Sequence, residues 1–597
     1  MITGTVGAGI EGIRMLGFGE SGRFFALAAT ALLAACATTP PPAAPVTVKI
    51  IGLNDFHGHI EPPHQSVDAW LPSGERLRVP VGGAAWLASA IDTYRAKNPN
   101  HLVVSAGDMI GGTPITSSLF LDEPAIGVMN RIALDFNAVG NHEFDRGRKE
   151  LLRMQNGGCE KHTVREPCVV EKPFTGAKFR FLAANVLTED GTPLFPATAM
   201  RSFGKGRSRV NVGLIGLTLK DTPSLASPSG LVGLTFEDEA TTINARVAEL
   251  KSAGADAVVV LIHQGLYTKV GFNDKSCGGV SGDLLKILPQ LDTRVDLVVS
   301  GHTHWAYVCD YGAIDPARPF LVTSAGLWGQ FMTDIDLTID PATSRVTARR
   351  ADNVMVQSES YVSTVGRVEV KPQFEQFAPR ADIAAYVQLY VDAVRVQKER
   401  KIGKVSASTG KPDLATAESR LGNLIADAQL AATRGAGAQL ALMNNTGIRS
   451  DLIISDDKSV TFGALFAVQP FANELITKTF TGAQMKALLE QQFDGQSFDQ
   501  AFSPSANVSY AFDQSRPLGS RVFDVAIDGK PIDPAASYRV TMNSFLAGGG
   551  DSFTVFRDGR DSVTGTGDLE AMQAWITAVP LRELPDLGRV RNLTPKP

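Results

Sequence analysis

Between Val46 and about Asn353 the chain repeats one pattern: a short run rich in Val, Ile and Leu that stops abruptly on polar residues. "VTVKIIGL" gives way to "NDFHGHI", "HLVVSA" to "GDMIGG", and "FNAV" to "GNHEFD". Further on, "ADAVVVLI" gives way to "HQG" and "VDLVVS" to "GHTHW". Apolar runs of this length predict buried strands. Helical patterns such as "FEDEATTINARVAELKSAG" separate several of them. The resulting α/β alternation places ligands beyond the carboxyl ends of the strands. Residues 379–400, "PRADIAAYVQLYVDAVRVQKER", predict an amphipathic connecting helix. A second globular unit follows, in which Thr481 and Gln484 have capping-box spacing at a helix start. The predicted boundaries are 47–355 for the first domain, 356–401 for the linker with its helix, and 402–597 for the second. A length of 597 residues suits two large domains.

The beginning of the chain departs from the pattern. Arg23 precedes an apolar run from Phe24 to Ala35, too short to span a bilayer, which ends in "LAAC" at Cys36. This predicts a lipoprotein-type signal peptide over 1–35, a lipidated Cys36, and a Pro/Ala linker over 36–46. The expected location is periplasmic, anchored to the outer membrane through Cys36; a soluble secreted protein is the alternative. Met15 gives a more usual n-region than Met1. Four further cysteines, Cys159, Cys168, Cys277 and Cys309, are an even number in an exported chain and so suggest disulfides. The local pairings 159–168 and 277–309 are expected among three possible connectivities. The formal charge of -5 offers no basic footprint for a nucleic-acid polymer but leaves a single nucleotide open as ligand.

The candidate chemistry sits at the strand ends: Asp55, His57, Asp108, Asn141, His142, His263, His302 and His304. The chain has nine histidines, and five fall in this set. Histidines scattered through core and surface would not concentrate in this way, so a metal centre is expected. Imidazole and carboxylate without thiolate suit zinc, manganese, cobalt or iron rather than calcium. The ligands are too many for one tetrahedral ion and suit two ions sharing a carboxylate. Such a pair lowers the pKa of a water and clamps the attacking and leaving oxygens of an in-line displacement at phosphorus.

In order and wording, "DFHGH", "GDMIGG", "GNHEFD", "HQG" and "GHTH" resemble the calcineurin-like metallophosphoesterases. Within them the chain is similar to the 5′-nucleotidase family of bacterial periplasmic nucleotidase/UDP-sugar hydrolases and ecto-5′-nucleotidases. The resemblance implies a four-layer α/β/β/α metallophosphoesterase domain followed by an α/β substrate-binding domain. It also implies two divalent ions. Asp55, His57, Asp108 and His304 would hold one; Asp108 would bridge to the other, held also by Asn141, His263 and His302. His142 would face the phosphoryl group, stabilising charge or protonating the leaving oxygen, with Asp145 orienting it. Glu143 is read as solvated, His59 as structural, and His64, His101 and His162 as surface residues.

In the second domain, "LMNNTGIRSDL", "VQPFANEL" and "MNSFLAGGGDSF" resemble the nucleotidase motifs Asn-Gly-Gly-Gly-Ile-Arg, Pro-Phe-Gly and Asn-Phe-Leu-Ala-x-Gly-Gly-Asp. By that match Phe471 and Phe545 would sandwich a base, which costs about 1–3 kcal/mol per base to lose and tolerates every base. Asn444 would bond the base edge, Arg449 phosphate or ribose oxygens, and Asp551 ribose hydroxyls. Two glycines of the usual loop are here Asn445 and Thr446. An arginine that ecto-5′-nucleotidases carry falls here at Ala417, with Arg420 nearby but out of register.

The expected function is an exported phosphohydrolase of nucleoside 5′-phosphates, extending to di- and triphosphates or UDP-sugars, by in-line attack of a metal-activated hydroxide. A 2′,3′-cyclic-nucleotide 2′-phosphodiesterase/3′-nucleotidase is the alternative, ahead of a thiosulfohydrolase and of a non-catalytic nucleotide-binding lipoprotein. The Phe pair and "GIR" favour nucleotides, and the full ligand set favours an enzyme.

Overall fold

In a computed structural model the described residues are 43–163, 165–226, 228–363, 366–411, 418–493 and 501–595. The predicted signal peptide, Cys36 and Ala417 lie outside them. Among the described residues no helix is long and apolar enough to cross a membrane.

The β-branched runs form two six-stranded sheets. One sheet is ordered Arg345–Met355, Phe331–Asp340, Val46–Leu53, His101–Ser105, Phe136–Ala138 and Arg180–Leu182. The other is ordered Ala306–Asp310, Leu321–Ala325, Leu297–Ser300, Ala257–His263, Val210–Thr218 and Thr198–Phe203. In each sheet four neighbouring strands run parallel, so their carboxyl ends share one edge. The sheets pack face to face over a core that includes Ile50, Val104, Leu214, Leu261, Val299 and Leu337, none more than 1% exposed. The faces turned away from this core carry helices: Ala84–Arg95 and Glu123–Ile132 on the first, Glu239–Ser252 on the second. The four-layer expectation is borne out. The first sheet draws on strands as late as Arg345–Met355, and the second on strands as late as Leu321–Ala325.

The connecting helix is Ala381–Lys398. Its apolar stripe of Ile383, Tyr386, Tyr390 and Val394 is buried between first-domain helices and the second-domain helix Phe462–Val468. One continuous apolar cluster therefore runs from Ile51 through Tyr390 to Leu424, and the helix is a seam rather than a loose tether. At its end Lys398 Nζ meets Glu61 at 2.9 Å, just beyond the loop that carries Asp55 and His57. The second domain has a five-stranded mixed sheet, Phe502–Pro504, Leu440–Asn444, Ser537–Asn543, Glu474–Thr481 and Arg560–Gly567, and a four-stranded one. Thr481 and Gln484 make the predicted capping box. The disulfides join Cys159 to Cys168 and Cys277 to Cys309.

Candidate metal centre and active site

Each ligand loop begins where a parallel strand runs out. After Leu53 the backbone N–H groups of Asp55, His57 and Gly58 donate to the carbonyls of Gly107, Asp108 and Met109, knitting the first two loops together. Asn54 locks that turn, donating to Asp55 Oδ2 at 2.7 Å and to the Gly326 carbonyl at 2.6 Å. The loop after Ser300 joins through His302 N, 2.9 Å from Asp55 Oδ2. Asp55, His57, Asp108, His302 and His304 all have left-handed backbones, with φ between 45 and 70°. Each such residue costs about 1–2 kcal/mol relative to the right-handed region, and that strain clusters at functional sites. Gly140 is required here, because a Cβ on it would lie 2.1 Å from Asp108 Oδ1.

Two groups of candidate ligand atoms result. In one, His57 Nε2 lies 3.1 Å from His304 Nε2, 3.8 Å from Asp55 Oδ1 and 3.7 Å from Asp108 Oδ2. In the other, His263 Nε2 lies 3.0 Å from Asp108 Oδ2 and 3.1 Å from Asn141 Oδ1, which is also 3.1 Å from His302 Nδ1. Asp108 Oδ2 therefore sits between the groups, while Oδ1 is held by the backbone N–H of His142 at 2.9 Å.

The donor chemistry fits divalent cations. His57 Nδ1 is 2.8 Å from the Gly111 carbonyl and His263 Nδ1 is 2.8 Å from the Ala106 carbonyl. A carbonyl only accepts, so both Nδ1 atoms carry hydrogen and both Nε2 atoms can present lone pairs to a cation. Asp108 Oδ2 is buried and makes no well-aligned hydrogen bond. A cluster of acceptors this dry calls for positive charge. The electrostatics agree. Burial holds His57 and His304 well below their ordinary pKa, with Arg449 adding to it, and lowers His302 to about 3, helped by His263. Those imidazoles are neutral and able to ligate. Burial also works against charge on His263, yet Asp108 overrides it and holds that imidazole up at about 9, so a proton and a metal ion compete for the same negative well.

His142 opens the short turn His142–Phe144, directly after Asn141. Its Nδ1 lies 3.0 Å from both oxygens of Asp145, whose Oδ2 also accepts from Gly112 N at 2.9 Å. Burial lowers the His142 pKa, but Asp145 and Asp108 together outweigh it and the net shift is upward.

Glu143 corrects the sequence expectation. It is 2% exposed rather than solvated. Its carboxylate accepts from the backbone N–H of Asp108 at 2.9 Å, of Met109 at 2.8 Å and of Gly140 at 2.6 Å. One side chain thus ties the Asp108 loop to the Asn141 loop. His59 is buried and stacks on Trp328 at 4.2 Å, and Trp328 N donates to the Asp55 carbonyl at 2.7 Å.

The second domain brings its motifs to this edge. Phe471 stacks over His142, ring centres 5.9 Å apart and 19° from parallel. The Arg449 guanidinium lies 5.9 Å from the Trp328 ring, and its Nε and Nη2 are buried without hydrogen-bond partners. Phe545 packs against Gly550, where a Cβ would come within 2.5 Å of the ring. Asn444 donates to Asp551 Oδ2 at 2.8 Å and to Thr446 Oγ1 at 2.7 Å, and Thr446 Oγ1 donates to the same Asp551 oxygen. Arg420 lies elsewhere, 4.0 Å from Asp586 and half exposed. Sequence reasoning misread Glu143 and passed over Asn54, Trp328 and the Thr446 hydroxyl. Of the three passed over, Thr446 left a trace, as a departure from the glycine-rich loop.

Residues 48–306 match the calcineurin-like phosphoesterase family and residues 401–558 the 5′-nucleotidase C-terminal domain. The protein UshA of Salmonella pullorum is 26% identical over 571 residues, covering 91% of this chain and 94% of its own length. The endonuclease YhcR of Bacillus subtilis is 28% identical over 89% of this chain, which spans only 40% of that longer protein. Among solved structures, a 5′-nucleotidase precursor from Thermus thermophilus superposes with a TM-score of 0.70 at 25% identity, covering 92% of this chain and 99% of its own. The chain belongs to the family that joins a calcineurin-like phosphoesterase domain to a 5′-nucleotidase C-terminal domain.

Proposed function

We propose that this chain is an exported, metal-dependent phosphohydrolase that removes phosphate from nucleoside 5′-phosphates, with di- and triphosphates or UDP-sugars as longer substrates. The observation that carries this reading is the meeting of two unsatisfied sets at one edge. Asp108 Oδ2 is buried and makes no well-aligned hydrogen bond, and the buried Arg449 Nε and Nη2 donors have no acceptor. A phosphate ester bound with two divalent ions satisfies both.

Asp55, His57, Asp108 and His304 would hold one ion, and Asp108, Asn141, His263 and His302 the other; zinc, manganese or cobalt suits these donors. Such ions would supply Lewis-acid stabilisation of charge at phosphorus and acidify a water. Arg449 orients the phosphate. His142, held at Nδ1 by Asp145, turns Nε2 to the leaving oxygen and donates the proton there, as its upward pKa shift favours. Phe471 and Phe545 hold the base by stacking. Asn444 offers a lone pair of its carbonyl to the base edge, and Asp551 faces the sugar. Lipidation of Cys36, placing the enzyme at the periplasmic face of the outer membrane, belongs to the same proposal.

A phosphate-release panel tests it: AMP, ATP, UDP-glucose, 3′-AMP and 2′,3′-cyclic AMP, each with zinc, manganese or cobalt. Release from AMP is expected. Release from 3′-AMP and the cyclic substrate alone would move the assignment to the cyclic phosphodiesterase/3′-nucleotidase, and release from none would end the hydrolase reading.

A further inference from the structure

The loop that departs from the glycine-rich pattern places a hydroxyl beside Asp551. Thr446 Oγ1 accepts from Asn444 Nδ2 at 2.7 Å and gives its only proton to Asp551 Oδ2. The second Asn444 Nδ2 proton goes to that same oxygen at 2.8 Å, and Asn444 Oδ1 accepts from Asn543 Nδ2 at 2.9 Å. A carboxylate oxygen offers two lone-pair directions, so Oδ2 is filled from within the protein. The arrangement is built into the fold. Asn444 ends a central strand and is 1% exposed, and Asp551 is 6% exposed with its backbone at φ 54°. Asn444 and Thr446 lie more than a hundred residues from Asp551 in sequence, so only the folded domain assembles this group.

We propose that Thr446 sets sugar specificity: its hydroxyl stands in for a substrate sugar hydroxyl on Asp551 Oδ2, so the enzyme accepts deoxynucleoside 5′-phosphates nearly as well as ribonucleotides. The inference rests on the nucleotide reading above, with Asp551 facing the sugar. With glycine or alanine at 446, that lone pair and the space beside it would pass to whichever hydroxyl the ligand brings. A hydrogen bond to a charged acceptor is worth about ten- to hundredfold in affinity, so the pocket would then penalise its absence. Thr446 acts through Asp551 and is a positioning residue.

The test compares kcat/KM for AMP, 2′-deoxy-AMP and 3′-deoxy-AMP in the wild type, Thr446→Ala and Thr446→Ser. Titrations with adenosine, 2′-deoxyadenosine and 3′-deoxyadenosine read the same preference without any hydrolysis. In the wild type each deoxy compound should stay within about threefold of its ribo counterpart, less than one full hydrogen bond. Thr446→Ala should put at least one deoxy compound about tenfold behind, and Thr446→Ser should restore the wild-type ratio. A wild-type preference for the ribo forms over both deoxy forms of more than about tenfold, or unmoved ratios in Thr446→Ala, would overturn the inference. Unmoved ratios in an active hydrolase sink this inference alone. The expected nucleoside pattern in a protein that releases no phosphate sinks the hydrolase reading and leaves the inference standing. A protein that neither binds nucleosides nor hydrolyses nucleotides overturns both.

Discussion

The two faces that meet at the cleft are built on opposite principles. On the side proposed to hold metal, position comes largely from the main chain: five strained residues, two loops stitched by backbone hydrogen bonds, a third pinned through His302 N to the Asp55 carboxylate, and Glu143 as a clamp between the Asp108 and Asn141 loops. On the substrate side position comes from side chains. Arg449 and Phe471 reach across from the second domain, and Asn444, Thr446 and Asp551 arrange one another. Backbone-held ligands change little without collapse of the site. Side-chain contacts can be exchanged one at a time. On the proposed reading, chemistry is therefore fixed on one face and selectivity is adjustable on the other.

Substitutions can break or sharpen that contrast. The largest effect is expected from Asp108→Asn, which removes the charge shared by both ligand groups; phosphate release should fall about a thousandfold or more, with metal content dropping in elemental analysis. His142→Ala should keep its metal content while kcat falls about 10²–10⁴-fold in steady-state assays. Glu143→Gln keeps the shape but presents a donor to backbone donors. Calorimetric titration should show metal affinity weakened about 10–100-fold, and unaltered affinity would remove Glu143 from the metal-side account. The smallest effect is expected from Phe471→Ala: a KM for AMP raised by the roughly 1–3 kcal/mol of one stacked base, with hydrolysis of a phosphate ester lacking a base far less affected. Equal losses on both substrates would mean that Phe471 serves His142 rather than the base.

The legible parts of the molecule were those in which neighbours in sequence are neighbours in space. Short Val- and Ile-rich runs ending in Asp, Asn or His announced both the sheets and the edge where the ligands gather. The helix 379–400 was visible from its period and is found at Ala381–Lys398. Glu143 was misread because a carboxylate flanked by functional residues looks like a solvated one; its partners are backbone N–H groups, which carry no residue-type signature. The hold of Thr446 on Asp551 joins residues 105 apart and the stacking of Phe471 on His142 crosses two domains, so no local pattern could announce either. The left-handed turns at His57, His302 and His304 were equally silent, since histidine has no preference for that conformation comparable to glycine's.

Those turns imply a trade between durability and activity. A chain selected only to stay folded would place glycine or asparagine at positions 57, 302 and 304 and would not crowd lone pairs around Asp108. In chelator, His304→Gly should therefore melt no lower than the wild type, and above it if strain relief outweighs glycine's greater freedom in the unfolded chain. With saturating metal the order should reverse, because only the wild type gains the full binding energy. For this protein, heat tolerance would then report how well its surroundings supply metal.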